Sequence, residues 1–213
     1  MEENKKSIIN IKMQKTADAL RKNNFDAYIA ENGDEAVKII LSLISEGESI
    51  GLGGSVTLSE LGIIDILRNQ KYNLLDRYAK GIPSEQIGEI LRQSLLSDVF
   101  LTSTNAVTEN GELYNVDGRA NRVAAMLFGP KSVIVVVGYN KIVKDLKAAE
   151  ERVKYIAAPM NCTRLERNTP CRLLGSCVDC NSKDRICADK VIMSRQMVKG
   201  RVKVILVAEE LGY

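Results

Sequence analysis

Four cysteines, Cys171, Cys177, Cys180 and Cys187, crowd into one short stretch of a 213-residue chain. With Cys162 they are all five cysteines of the protein, spaced C-x8-C-x5-C-x2-C-x6-C. A soft metal centre needs such crowding, because a tight turn must deliver several thiolates to one point. Positive charge gathers in the same region. Residues 162–203 hold ten Lys/Arg against four Asp/Glu, a surplus of +6 in a chain of net charge +3. Four thiolates holding one zinc or an oxidised four-iron cluster carry about −2 of formal charge. Basic neighbours offset that charge and lower thiol pKa values. Cysteine also packs like a small hydrophobe, but the surrounding Thr169, Pro170, Gly175, Ser176, Asp179 and Asn181 form a polar, turn-rich run. An odd cysteine count, and no apolar signal-peptide core over residues 1–14, argue against a disulfide framework and for a cytoplasmic address. The expected ligands are Cys171, Cys177, Cys180 and Cys187, with Cys162 a spare or substitute ligand. An iron–sulfur cluster is the expected cofactor and zinc the alternative; the chain has no histidine to contribute to either.

Two further blocks could do chemistry. Gly51-Leu52-Gly53-Gly54-Ser55-Val56-Thr57 stands where an apolar run gives way to a helical pattern. Glycines let a backbone approach a ligand, and a helix start offers free N–H groups to an anion. Gly51, Gly53, Gly54, Ser55 and Thr57 are therefore expected to cradle a carboxylate, phosphate or carbonyl oxygen. The run is neither a dinucleotide fingerprint, since Val56 stands where a glycine is needed, nor a Walker A loop; a plain tight turn is the competing explanation. Residues 102–119 are dense in polar groups after an apolar strand, the place where open α/β sheets put their ligand crevice. Asn105 and Arg119 are expected to bind ligand there, and Glu109 and Asp117 to be catalytic. With no histidine, acid–base or nucleophilic work falls to Glu109, Asp117, Glu60 or a cysteine. The competing reading is a solvated hairpin with Asp117 as a helix cap.

These groups must be positioned by a regular scaffold. Residues 4–24 read as an amphipathic helix, with Ile8, Ile9, Met13, Ala17 and Leu20 at helical spacing. It should cover the outside of the domain or a partner subunit, as in a homodimer. Strands are expected at 25–30, 49–52, 72–76, 99–102, 132–137 and 202–207. Helices are expected at 34–45, 57–67, 84–96, 119–128 and 142–156. Asn110-Gly111 between two β-like runs is a hairpin signal. Such alternation implies an α/β fold: a mostly parallel sheet with helices on both faces. One domain spans 1–213, with the helix at 1–24 and a cysteine-rich loop inserted at 160–190.

Composition narrows the function. At 45% hydrophobic and 27% charged the chain is ordinary for a globular protein. No apolar run approaches the roughly 18 residues that span a bilayer, so no membrane partner is expected. A net charge of +3 with only three Phe and no Trp argues against nucleic acid.

Three stretches together carry a family likeness: G-L-G-G-S-V-T-L-S-E-L-G over 51–62, D-V-F-L-T-S-T-N-A-V-T-E-N-G-E-L over 98–113, and P-K-S-V-I-V-V-V-G-Y-N-K-I-V over 130–143. In that order they resemble the lactate-utilisation (LUD) domain family, across roughly residues 4–206. The likeness is greatest to a single-domain bacterial branch ending in T-P-C…G-x-C-x-D-C-x-S-x-x-R-I-C, here residues 169–187. That resemblance implies the fold shared by sugar-phosphate isomerases (NagB and RpiA) and CoA transferases, a Rossmann-like sheet. It also implies an accessory role in oxidising lactate or a related small organic acid, beside a redox partner that handles electrons through iron–sulfur proteins. CoA-transferase relatives place a catalytic glutamate in a Ser-Glu-Asn-Gly turn; here Thr108-Glu109-Asn110-Gly111 follows the glycine loop in the same order. The resemblance thus offers Glu109 as a nucleophile toward a coenzyme A thioester, with threonine in place of the serine.

Overall fold

The computed structural model describes residues 3–69 and 71–213. Chain order is α1 (Glu3–Lys22), β1 (Asp26–Ala30), α2 (Gly33–Ser42), β2 (Ser49–Leu52), α3 (Val56–Glu60), α4 (Ile63–Arg68), β3 (Asn73–Leu75), α5 (Ser84–Gln93), β4 (Val99–Ser103), β5 (Ala106–Thr108), β6 (Leu113–Asp117), α6 (Asn121–Leu127), β7 (Ser132–Gly138), β8 (Ile142–Val143), α7 (Leu146–Arg152), α8 (Ala158–Arg164), α9 (Pro170–Leu174), β9 (Asp189–Met193) and β10 (Val202–Val207). The main sheet has six strands, all parallel, in the order β1-β10-β7-β4-β2-β3. From β2 the chain goes outward to β3, then returns to β4 on the other side of β2. The order therefore reverses between β2 and β4, and the carboxyl ends on either side of such a reversal are where open α/β sheets place a ligand crevice.

Alternation along the strands explains why helices cover both faces. Val133, Val135 and Val137 of β7 join Phe100, Met13, Leu20 and Met126 in one core. Ile134 and Val136 point the other way, into a second core with Val99, Leu101, Ile40, Leu58 and Leu67. Helix α1 lies on the first face, burying Ile9, Met13, Ala17 and Leu20. Helix α2 starts where its sequence provides a cap: Asn32 Oδ1 accepts from Glu35 N at 2.9 Å, and Glu35 Oε2 accepts from Glu31 N at 2.7 Å.

Sequence and structure differ in three places. The helix expected over 57–67 is two helices, because Gly62 adopts φ 63° and breaks it. The helix expected over 142–156 begins only at Leu146, behind the short strand β8. It then widens into a π turn over Val153–Ala157. Pro159 has no N–H to return to the carbonyl of Tyr155, so the ladder loses one bond where the π turn passes into α8. A second sheet, in the order β8-β5-β6-β9, was not anticipated. Its strand β9 rises straight out of the cysteine segment and pairs antiparallel with β6.

The β5–β6 hairpin turns at Asn110-Gly111 and docks on the end of α1. Asn23 Nδ2 donates to the Asn110 carbonyl at 2.8 Å and the Gly111 carbonyl at 3.1 Å. Gly111 has φ 80°, and a Cβ on it would stand 2.6 Å from the carbonyl carbon of Ala19. Gly111→Ala should therefore lower the unfolding free energy by about 2 kcal/mol or more, measured by denaturant titration.

Candidate functional site

The crevice at the sheet's reversal point is built around Lys141, which follows the carboxyl end of β7. Its Nζ donates to Thr57 Oγ1 of α3 at 2.8 Å and to Ser103 Oγ at the end of β4 at 3.1 Å. Two buried arginines stand beside it. Arg122 of α6 donates to the Ser103 and Val116 carbonyls and to Asn105 Oδ1 and Asn115 Oδ1, each at 2.9 Å. Arg152 of α7 donates to the Asn105 carbonyl at 2.6 Å and the Asn140 carbonyl at 3.1 Å.

Every one of these partners is neutral. Among the described residues, Asp117 is the carboxylate within ion-pair distance, 3.7 Å from Arg122 Nε. Lys141 thus sits in a low-dielectric pocket with unbalanced positive charge, and burial, with Arg152 and Arg122 adding to it, lowers its pKa to about 7; Glu60 opposes this weakly. That shift corresponds to roughly 5 kcal/mol in favour of the neutral amine. Burial also lowers Arg152, to about 10. The Asn115 side-chain N–H group is buried with no acceptor, one more donor without a partner in this neighbourhood.

Residues 208–213 close the crevice from above. Thr57 Oγ1 donates to the Leu211 carbonyl at 3.2 Å, and Gly212 N donates to Glu60 Oε2 at 2.6 Å. Asn140 grips both neighbours, accepting from Leu211 N at 3.2 Å and donating to the Gly212 carbonyl at 2.9 Å. A Cβ on Gly212 would lie 2.6 Å from Thr57 Oγ1 and 3.3 Å from Lys141 Nζ, so only glycine lies this close.

The residues singled out from sequence fall in three groups. Thr57 and Asn105 belong to the crevice. The glycine loop borders it, but its glycines serve different ends. A Cβ on Gly51 would lie 2.8 Å from Ser94 Cβ, and one on Gly53 would lie 2.8 Å from Thr102 Cβ, so both are needed for packing. Gly54 is open, its nearest neighbour being Arg77 Nη1 at 3.8 Å. Ser55 caps α3 by accepting from Leu58 N at 3.3 Å, and its own N–H donates to the Tyr78 hydroxyl at 3.3 Å. Asp117 accepts from Val123 N at 3.3 Å in the first turn of α6, the helix-cap role. Arg119 is exposed. Glu109 is paired with Lys15 of α1 at 2.7 Å. Sequence reasoning missed Lys141, Arg122, Arg152 and Ser103. A lysine three residues past the most apolar strand was the available signal, because carboxyl ends of central parallel strands face the crevice.

The cysteines draw together from separate elements. Cys162 ends up inside α8, buried, with its thiol against Cys171 of α9 and Thr169; burial pushes its pKa up to about 11. Thr169 Oγ1 lies 3.4 Å from Cys171 Sγ. Cys187 is within electrostatic reach of Cys162, Cys177 and Cys180. Burial raises the Cys187 thiol, against the opposing pull of Arg185. Arg185 binds the loop together, donating to the Cys180 carbonyl at 2.8 Å and the Cys187 carbonyl at 2.9 Å. Cys162 therefore packs beside the other thiols. Four thiolates around one zinc at 2.3 Å must stand about 3.8 Å apart. Among the described residues, no three His, Cys, Asp or Glu side chains are gathered to hold one ion. As arranged, the thiols do not fit a single-ion site. A cavity of about 460 Å³ beside them is lined by Tyr155, Pro159, Met160, Cys171, Arg172 and Tyr213.

The buried lysine has a signature in stability. Its folded pKa lies below the unfolded value, so the unfolded chain holds the proton more tightly. The penalty is complete below about pH 7 and fades as pH rises toward 10.5. Unfolding free energy of the wild type should gain from this group between those limits. Lys141→Met should lack that gain, measured by denaturant titration at intervals of pH.

A family profile described as the LUD domain matches residues 13–207. No curated protein matches the chain. Among solved structures, a DUF162-family protein from Deinococcus radiodurans is similar at 16% identity, over 95% of this chain and 98% of that one, with a TM-score of 0.47. With the profile spanning nearly the whole chain from α1 to the last strand of the sheet, this protein belongs to the LUD-domain family.

Proposed function

We propose that this chain binds the carboxylate of a small organic acid, lactate or a close relative, in the Lys141 crevice and serves as an accessory redox protein in its oxidation. The carrying observation is electrostatic. Lys141, Arg122 and Arg152 are buried together, while one carboxylate, Asp117, approaches to 3.7 Å. Buried charge without a counter-charge is costly, and an anion entering the crevice relieves the cost. Membership of the LUD-domain family, through its link to lactate utilisation, supports a small 2-hydroxy acid as the anion. A phosphate-bearing ligand is the other candidate with the right charge.

The redox half rests on the five thiols. Cys171, Cys177, Cys180 and Cys187 would hold an iron–sulfur cluster, which would supply one-electron transfer. Several thiols within electrostatic reach of one another, beside the basic Arg185, are the ligand type that a cluster and a zinc ion both use. Glu109 as a CoA-transferase nucleophile is the less favoured reading, because its carboxylate is held by Lys15. Glu109→Ala with unchanged acyl transfer from any acyl-CoA would remove it.

Calorimetric titration with lactate tests the crevice. Binding is expected to weaken tenfold or more in Lys141→Met, the usual worth of a hydrogen bond to a charged group. It should also weaken as pH rises above about 7, where Lys141 loses its proton and with it the charge that pairs with the carboxylate. Equal affinity of variant and wild type would refute this use of Lys141. Iron and sulfide in anaerobically purified protein, with absorption near roughly 400 nm, test the redox half; zinc alone would reduce the loop to a staple.

A further inference from the structure

We infer that Lys141 is the nucleophile of a Schiff-base site for 2-oxo acids. This rests on the reading of the crevice as a carboxylate site and goes on to assign the chemistry done there. A lysine serves as a nucleophile when it is desolvated, set among other cations and free of a carboxylate that would hold its proton. Lys141 meets each condition. Its Nζ is held by two hydroxyls on separate elements, Thr57 Oγ1 at 2.8 Å and Ser103 Oγ at 3.1 Å. Arg122 faces it from α6 and Arg152 from α7, both buried. Glu60 of α3 is the acidic group nearest in influence, and its carboxylate is committed to Gly212 N at 2.6 Å. With its pKa lowered to about 7, a large share of the amine is neutral near neutral pH.

A 2-oxo acid suits this arrangement at both ends. The field of Arg122 and Arg152 draws its carboxylate, which places the adjacent ketone carbon beside the neutral amine. The neutral Nζ adds to that carbon as the carbonyl oxygen takes up a proton, giving a carbinolamine. Loss of the oxygen as water then leaves a C=N bond to Lys141. One C–N bond forms, the C–O bond breaks and no oxidant is consumed. The hydroxyls of Thr57 and Ser103, both hydrogen-bonded to Nζ, are placed to relay the protons. A 2-hydroxy acid has no carbonyl and can only bind. The site would therefore distinguish an acid from its two-electron oxidation product, holding the second covalently and reversibly. Entry requires residues 209–213 to lift, since Gly212 lies over Nζ and the Leu211 carbonyl occupies the Thr57 hydroxyl.

Reductive trapping tests this. Full-length protein is incubated with pyruvate and sodium cyanoborohydride, and the adduct is located by peptide mass mapping. One adduct is expected, on Lys141, lost in Lys141→Arg, retained in the exposed-lysine control Lys144→Arg and suppressed by excess lactate. Trapping should quicken from about pH 6 to about pH 8 as the amine loses its proton. An unmodified Lys141, or adducts scattered over surface lysines, overturns the inference. If calorimetry shows pyruvate and lactate both bound while nothing is trapped, the carboxylate reading stands and the Schiff base falls. If neither acid binds and nothing is trapped, both fall.

Discussion

The arrangement of this protein turns on a lysine buried without a carboxylate. Lys141 reaches the reversal point of a parallel sheet, where two hydroxyls accept its N–H bonds but do not balance its charge. The surrounding elements converge to make that tolerable. Helix α3 supplies Thr57, β4 supplies Ser103, and residues 208–213 seal the pocket with a glycine. Arg122 and Arg152 add to the imbalance while tying the second sheet to the first through Asn105, whose side chain and carbonyl receive one arginine each. A site built only for stability would gain from an apolar residue at this position. Retaining a cation is understandable if an anion completes the pocket.

The crevice and the thiols are mechanically connected. The closing segment runs from Leu211 over Thr57 to Tyr213, whose hydroxyl accepts from Arg164 Nε at 2.7 Å. Arg164 is in α8, the helix that carries Cys162. The same helix follows the π turn, whose Lys154 carbonyl accepts from Cys177 N at 2.9 Å. A ligand that displaces residues 209–213 therefore disturbs contacts made by the helix against which Cys171 packs. The closing segment and the thiol cluster thus share one structural element, α8.

Much of the scaffold was legible because its signals are local. Ser49–Leu52 and Val202–Val207 stand where the apolar runs place them, and the Asn110-Gly111 turn gives a hairpin. The missed features depend on distant partners. Strand β9 has no strong apolar run and is exposed over Asp189 and Lys190; it exists because β6 offers it an edge. Gly62 splits a helix that its apolar periodicity alone would continue. At the site, polar density pointed to residues 102–119 and found Asn105. The charge that defines the crevice comes instead from Lys141, Arg122 and Arg152, three cations on three elements with nothing in their own neighbourhoods to link them. Cys162 was set aside on spacing, yet it packs against Cys171 once α8 and α9 fold together.

The charge of Lys141 is the quantity on which everything above depends, and it can be read directly. A pH titration of its side-chain nitrogen by NMR, in protein labelled with 15N-lysine, should give a midpoint near 7 in the free chain. Saturating lactate should move that midpoint upward, because a bound carboxylate stabilises the ammonium. A midpoint in the ordinary lysine range of about 10.4, indifferent to lactate, would contradict the account.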